Sequence, residues 1–198
     1  MTKDNTSTPA VPPRFFAQLL LPFAIPALLT LALVLTVGEG SPRNTAPGSG
    51  LKAAGFGAAM LTCLAVWLLA TGGIADPRAR KLAAIMCGMV GLMGWPVWSM
   101  GVLPSVNGMR LGPAETIRMT LERTEFTVAQ RSSTRNHWAW LRPDTPDSRA
   151  AAGRYFIPEA TYRQWNGEQP RSVTVTTAPG LLGAQVVTGY GLPADQTR

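Results

Sequence analysis

Charge is missing from three long stretches of this sequence. Residues 15–38, 53–75 and 82–109 hold no Asp, Glu, Lys, Arg or His. A soluble core helix is rarely apolar on every side for so long. At a rise of ~1.5 Å per residue, each stretch exceeds the ~30 Å of hydrocarbon in a bilayer. The absence bears on function as well. Ionisable side chains inside a membrane mark ion paths and proton relays. Three helices without one do not make a transporter alone, although a channel or transporter subunit can borrow polar groups from a partner.

Other residue types are scarce in ways that exclude chemistry. Of the two cysteines, Cys63 and Cys87, both fall inside apolar stretches, where thiols behave as small hydrophobes. The chain beyond residue 104 has none, so no disulfide framework holds it. A single histidine, His137, gives no zinc constellation. As a general base it would need a nucleophile and an orienting acid. Ser132, Ser133, Asp144 and Asp147 stand at no diagnostic spacing, so a solvated or strand-exposed His137 is expected. Gly180 and Gly183 lack phosphate-loop spacing and a following Lys, and read as a hairpin turn. No catalytic, cofactor or metal site is expected.

The chain carries a formal net charge of +7, a pull toward anionic partners. Nucleic acid is not the expected one. No basic run is interleaved with aromatics, and the arginines beyond residue 104 are mixed with Asp and Glu. Abundant Arg, Ala, Gly and Pro fit a GC-rich bacterial source. Glu122 and Glu125 beside Arg118 and Arg123 read as a solvated strand face rather than an acid–base pair.

The chain divides by composition. Residues 1–14 are polar and proline-rich, a flexible cytoplasmic arm. Residues 15–104 form a transmembrane region with spans at about 15–37, 51–75 and 82–103. The first holds Pro22 and Pro26, which favour a kink. Its length, and the lack of an Ala-x-Ala cleavage pattern, set it apart from a signal peptide. Residues 38–50, rich in Gly, Ser, Pro and Asn, are a loop. Arg78, Arg80 and Lys81 crowd the connection between the second and third spans. By the positive-inside rule that connection is cytoplasmic. The N-terminus is then also cytoplasmic, and residues 105–198 lie in the periplasm of a bacterial inner-membrane protein.

Small residues recur every four positions in the spans: Gly55, Ala59 and Cys63, then Ala84 and Gly88, followed by Gly91 and Gly94. Such faces let helix backbones approach closely in lipid. They serve a hairpin of the second and third spans, or a docking face for another membrane protein.

Residues 105–198 alternate polar and apolar. Ile117, Met119 and Leu121 share a face; the parity then shifts to Phe126 and Val128, as a bulge or turn near residues 123–125 would cause. Tyr155–Ile157, Val173 with Val175, and Val186 with Tyr190 extend the series. Turn signals stand at residues 143–146, 166–167 and 179–180, and residues 158–165 suit one short helix. The expected fold is five to six strands in a small barrel or sandwich. In pattern alone it resembles the small β domains attached to membrane hairpins in bacterial proteins. Trp138 and Trp140 share one strand face. The core is the expected site for the pair, with a contact face for a partner as the functional alternative. The expected role is a non-enzymatic membrane protein holding a β domain for a partner protein or envelope component: an accessory subunit, assembly factor or immunity-type protein. The expected partners are the lipid bilayer with a membrane or periplasmic protein, or a second copy. An oligomeric transport or channel component and a membrane-tethered hydrolase are the alternatives.

Overall fold

In the computed structural model, residues 13–37, 44–128, 135–145 and 148–193 are described. The arm expected over residues 1–14 lies almost wholly outside them, as do Arg43, Ser132, Ser133, Pro146 and Asp147. The elements run in the order α1 Pro13–Leu19, α2 Leu21–Val37, α3 Leu51–Thr71, α4 Pro77–Val97, a π-helical turn Trp98–Val102, α5 Leu103–Gly108, β1 Glu115–Val128, β2 Arg135–Pro143, β3 Gly153–Ile157, α6 Glu159–Glu168, β4 Ser172–Pro179 and β5 Gln185–Gly191. They form two compact units. Among the described residues, the helical one comprises residues 13–32 and 52–102; the β unit comprises residues 33–37, 44–51 and those described from 103 on.

Two helical runs are long and apolar enough to cross a membrane: Leu51–Thr71 and Pro77–Gly108. The first expected span is divided. Its helix stops at Leu19 and restarts at Leu21, because Pro22 has no N–H to give the Gln18 carbonyl and continue the helical ladder. The apolar helix beyond, Leu21–Thr36, is shorter.

Each helix boundary has a local cause. Asp76 caps α4, its carboxylate accepting the Arg78 N–H at 2.9 Å with Pro77 at the first position, an arrangement that satisfies a free helix-end donor. Arg78, Arg80 and Lys81 therefore stand on the first turns of α4 and not in a separate connection. Pro96 removes a donor late in α4, and the π-helical turn follows directly. There the Ser99 hydroxyl donates to the Trp95 carbonyl at 2.8 Å, recovering a backbone acceptor. α3 and α4 are tied near both ends by indoles: Trp67 Nε1 donates to the Arg80 carbonyl at 3.1 Å, and Trp95 Nε1 to the Lys52 carbonyl at 3.0 Å.

The β unit is built on a curled five-stranded antiparallel sheet, a half-barrel with strand order β3-β2-β1-β4-β5. Ile117, Met119, Val173, Val175, Leu141, Tyr155 and Ile157 turn inward onto Trp165 of α6. A bulge at Glu122, between Leu121 and Arg123, sets two residues of β1 against one step of β2. It moves the inward parity from odd to even, as Phe126 and Val128 required. The two short strands suggested by that shift are thus one long strand. Residues 166–167, expected as a turn, are the last turns of α6. That helix ends at Gln169 in the left-handed conformation, φ 46°, where its N–H bonds the Trp165 carbonyl.

Closure of the half-barrel comes from outside the expected β region. Residues 44–46, read as plain loop, line the free edge of β5. Val187 N–H donates to the Asn44 carbonyl at 2.7 Å, and Ala46 N–H to the Gln185 carbonyl at 2.9 Å. The Asn44 amide also donates to the Phe156 carbonyl of β3 at 2.9 Å, and the Tyr190 hydroxyl donates to the same carbonyl at 2.6 Å. The two edges of the sheet meet there.

A second tie fixes the β4–β5 turn. Asn107, fully buried in α5, accepts from Leu181 N–H on its carbonyl at 2.9 Å and from Leu182 N–H on Oδ1 at 3.0 Å. Its Nδ2 donates to the Ala184 carbonyl at 3.0 Å. A Cβ at Gly180 would collide with that Nδ2 and with the Asn107 carbonyl oxygen, so the turn requires glycine.

Two outcomes follow from these ties. Asn107→Ala strands the Leu182 N–H and the Ala184 carbonyl, and is expected to cost about 2–3 kcal/mol, read as a lowered thermal midpoint of the β unit in detergent. Burial pushes the Tyr155 phenol up to about 12 and raises Tyr190 as well. Below pH 10 both phenols are neutral folded or unfolded, so stability is flat. Between pH 10 and about 12 the unfolded chain ionises first and stability falls, by on the order of 2–3 kcal/mol for Tyr155. Near-UV circular dichroism against denaturant at pH 9 and pH 11.5 measures it; Tyr155→Phe should flatten the slope.

Candidate contact face of the β unit

Trp138 and Trp140 do share a strand face, but it is the face away from the core. The register Leu121 opposite Leu141 turns odd-numbered β2 residues inward. His137, Ala139 and Leu141 are buried; the two tryptophans are half-buried on the outer side. The expectation of a core pair is corrected on this point. The core position between them is filled by small Ala139, which shares its cluster with Trp165 of α6.

The outer face is an ordered array of planar groups. The Arg123 guanidinium lies 4.9 Å from the Trp140 ring centre, and that of Arg154 lies 4.2 Å from Trp138. Trp138 meets Phe156 edge to face at 5.4 Å and donates through Nε1 to the Thr127 hydroxyl at 3.0 Å. Glu125 stands between the cations, 2.6 Å from Arg154 Nε and 3.9 Å from Arg123 Nε. Stacked guanidinium–indole pairs keep their charge while covering apolar rings. The Trp140 indole N–H has no hydrogen-bond partner among the described residues. Arg142 with Glu122 at 3.4 Å, and Arg118 with Asp144 at 3.7 Å, continue the charges. The expected solvated strand face is thus real, and richer in aromatic surface than its charges suggested.

His137 is not strand-exposed. It is 8 % exposed on the inner face, its ring 4.5 Å from that of Tyr162 on α6. Asp144 binds Thr120 and Arg118, outer-face residues of β1. The two groups once considered together therefore belong to opposite faces. A shallow cleft of about 280 Å³ opens beside the bulge, between Glu122, Arg123, Trp165, Gln169 and Arg171.

In the helical unit the small residues separate into two sets. Gly55 packs against the Ser99 backbone, Ala59 and Cys63 are buried, and Gly91 lies against the Cys63 thiol. A Cβ at Gly94 would stand 2.7 Å from the Pro22 carbonyl oxygen, so α2 approaches α4 on glycine. Ala84 and Gly88 do not join them. Ala84 is exposed, and a Cβ at Gly88 would meet nothing within 4 Å; the buried partners on α4 are Ala83 and Cys87. Asn44 and Asn107 were not foreseen as structural determinants, whereas Gly180 lies in the hairpin turn expected there.

Because the tryptophans lie outside the core, their removal is expected to spare the sheet. Trp138→Ala or Trp140→Ala should cost about 1 kcal/mol of β-unit stability, against 3–5 kcal/mol for Trp165→Ala. Thermal denaturation followed by circular dichroism checks the order; equal losses for all three would contradict the assignment of faces. The chain matches no protein-family model, and neither a curated protein nor a solved structure is significantly similar to it.

Proposed function

We propose that this chain is a multi-pass inner-membrane protein whose helices hold a periplasmic β unit, and that the outer sheet face of that unit receives a partner protein or envelope component. The observation that carries the reading is the uncovered apolar surface of α3 and α4. Only 22 % and 28 % of their most apolar windows are buried. The core helices of a soluble protein would be mostly covered. Leu61, Leu69, Leu82, Ile85, Leu92 and Met93 all stand more than half exposed. Transfer of these six alone out of water is worth on the order of 10 kcal/mol.

The direction of the spans has a second support. Residues 44–46, ahead of α3, and the strands that follow α5 hydrogen-bond in one β unit. Chain that leaves a bilayer and returns to the same side crosses it an even number of times, as a two-span hairpin does. Arg78, Arg80 and Lys81, at the other end of that hairpin, then hold the cytoplasmic side. α2 with α1 supplies a third span, kinked at Leu20. The stacked Arg123, Trp140, Arg154 and Trp138 suit a partner of mixed charge with planar or apolar side chains, because indole and guanidinium are the groups that most often anchor interfaces. The protein acts in this reading by binding and positioning, not by catalysis.

A second reading, an oligomeric transport or channel component, is favoured by Ala84 and Gly88, which leave a small-residue face of α4 open to another helix. Gly88→Leu should abolish self-association under this reading and leave it unchanged under the first.

Two measurements test the proposal. Alkaline phosphatase fused after Arg198 is expected to be active and after Lys81 inactive; the reverse pattern overturns the orientation. A photoreactive residue at position 138 or 140 should capture the same partner reproducibly in intact membranes, whereas one at Ser148 should not. Capture of nothing in membranes of the native host would remove the binding role.

A further inference from the structure

β1 is paired further along one side than along the other. Toward β2 its ladder runs from Met119 to Val128. Toward β4 it runs only from Glu115 to Thr120, and a last hydrogen bond joins the Leu121 N–H to the Arg171 carbonyl at 3.0 Å. Ahead of Arg171 the chain leaves the sheet through Pro170 and Gln169, which follow α6. Residues 122–128 therefore have no strand on that side, and no backbone hydrogen bond toward it among the described residues. Every second residue of a strand turns its N–H and its C=O to the same side, so this length presents a row of donors and acceptors without a protein partner. Its side chains do not cover it. Phe126 and Val128, on the inner side, are 48 % and 57 % exposed. Neither proline nor lysine, the residues that commonly blunt an open edge, occurs in it. The edge of β5, by contrast, is lined by residues 44–46.

The open length of β1 starts at the cleft beside the bulge. Residues 121–124, the end of α6 and Arg171 wall that cleft. Trp165 is among them: it is buried, and its indole N–H has no acceptor among the described residues. Arg171 is exposed and has no ion pair among the described residues. The nearby carboxylates are engaged. Glu122 meets Arg142 at 3.4 Å, Glu125 meets Arg154 at 2.6 Å, and Glu168 accepts from the Gln164 amide at 3.4 Å.

We infer that this edge takes the C-terminal end of a partner polypeptide as an added strand, with the terminal carboxylate in the cleft beside Arg171 and the Trp165 indole. The inference rests on the partner-binding reading above and names what is bound. Backbone chemistry sets the class. Only extended polypeptide offers donors and acceptors at the spacing of a strand edge, which a sugar or a lipid does not. Direction sets which end arrives. β4 holds this line of the sheet from Ser172 onward and runs antiparallel to β1. A guest laid antiparallel on residues 122–128 heads toward Arg171 and stops there against the chain. Charge agrees with that end. The C-terminal pole of α6 opposes a carboxylate with about half a charge. Arg171 answers with a full one, and Arg123, also in the cleft wall and 3.9 Å from Glu125, adds to it. An ending amine would be repelled by both. Residues 122–128 span ~23 Å at ~3.3 Å per residue, room for about five or six residues of guest. Its inward side chains fall beside Phe126 and Val128, so apolar residues suit alternate positions. Its outward ones flank Arg123 and extend the face that holds Trp140 and Trp138.

The test uses the full chain in detergent micelles as bait for short random peptides, displayed either with free C-termini or as internal segments. The free-ended library is expected to enrich peptides with apolar residues at alternate positions, and the internal one not. Enriched peptides are then synthesised with a free or an amidated C-terminus and titrated by fluorescence anisotropy. Amidation and Arg171→Ala should each weaken binding roughly tenfold or more. Arg163→Ala, on the exposed side of α6, should leave it unchanged. Bound peptide should slow amide hydrogen exchange at alternate residues of 123–128, read by NMR. No enrichment from the free-ended library, or bound peptide that leaves those amides unchanged, overturns the inference. Binding indifferent to amidation, or weakened equally by Arg163→Ala, overturns the carboxylate site. Exchange at 123–128 that slows with protein concentration alone overturns the foreign partner in favour of a second copy. Any of these results beside reproducible capture from position 138 or 140 in native membranes leaves the contact-face reading standing; failure of capture as well removes both.

Discussion

A curled sheet that does not close leaves two edges of unpaired backbone groups, and how those edges are satisfied shapes much of this molecule. Five strands are too few for the half-barrel to meet itself through ladder hydrogen bonds. The gap is bridged instead by a side-chain amide and a phenol, Asn44 and Tyr190, that converge on one carbonyl, Phe156. Residues 44–46 cover the β5 edge with their own backbone. This is edge protection, with a consequence for the rest of the chain. The covering segment is contributed from ahead of α3, so chain on both sides of the α3–α4 hairpin is bound into one β unit. Satisfying a sheet edge thereby joins segments that α3 and α4 separate in the sequence.

The helical unit solves a different problem. In the proposed membrane setting, apolar helices gain nothing by hiding apolar surface from lipid, and their association would depend on close fit. The fit here is concentrated where side chains are missing or small: Gly55 on Ser99, Gly91 on Cys63, Gly94 on the Pro22 carbonyl. Two indoles bond main-chain carbonyls across the α3–α4 pair, one near each end. Apolar bulk points outward and smallness inward, the reverse of the soluble pattern seen in the β unit.

Much of this was legible from period and punctuation. The parity shift between Leu121 and Phe126 announced the bulge at Glu122, and Pro158 announced α6. The turn at Pro179–Gly183 also stood out. The second uncharged stretch foretold α3 to within four residues, whereas α4 starts five residues before the third stretch and ends at Val97, well inside it. What stayed hidden depended on contacts distant in sequence. Nothing local marks Asn44 as an edge strand, since its partners are 112 and 146 positions away. Asn107 reads as an ordinary polar residue past a span until Leu182 and Ala184 are set beside it. The division of the first apolar stretch was half-visible in its two prolines. Which small residues of α4 face α3 depended on helix phase, and Ala83, not Ala84, is the one turned inward.

The tryptophans of β2 illustrate why side-chain size alone misleads. Alternation told which residues share a face, not which face is inside. Bulk argued for Trp138 and Trp140 inside; register argues for Ala139 and Leu141. The core resolves the conflict from the other side of the sheet, because Trp165 of α6 already occupies the interior that two more indoles would need. Displaced outward, Trp138 and Trp140 would be bare apolar surface were it not for Arg154 and Arg123 stacked across them. The guanidinium groups keep this face wet and soluble while leaving the rings flat and aligned. A partner that displaced water from such a surface would meet preformed planes with little side-chain entropy left to lose. Core filling from one side thus sets the array of stacked planar groups on the other.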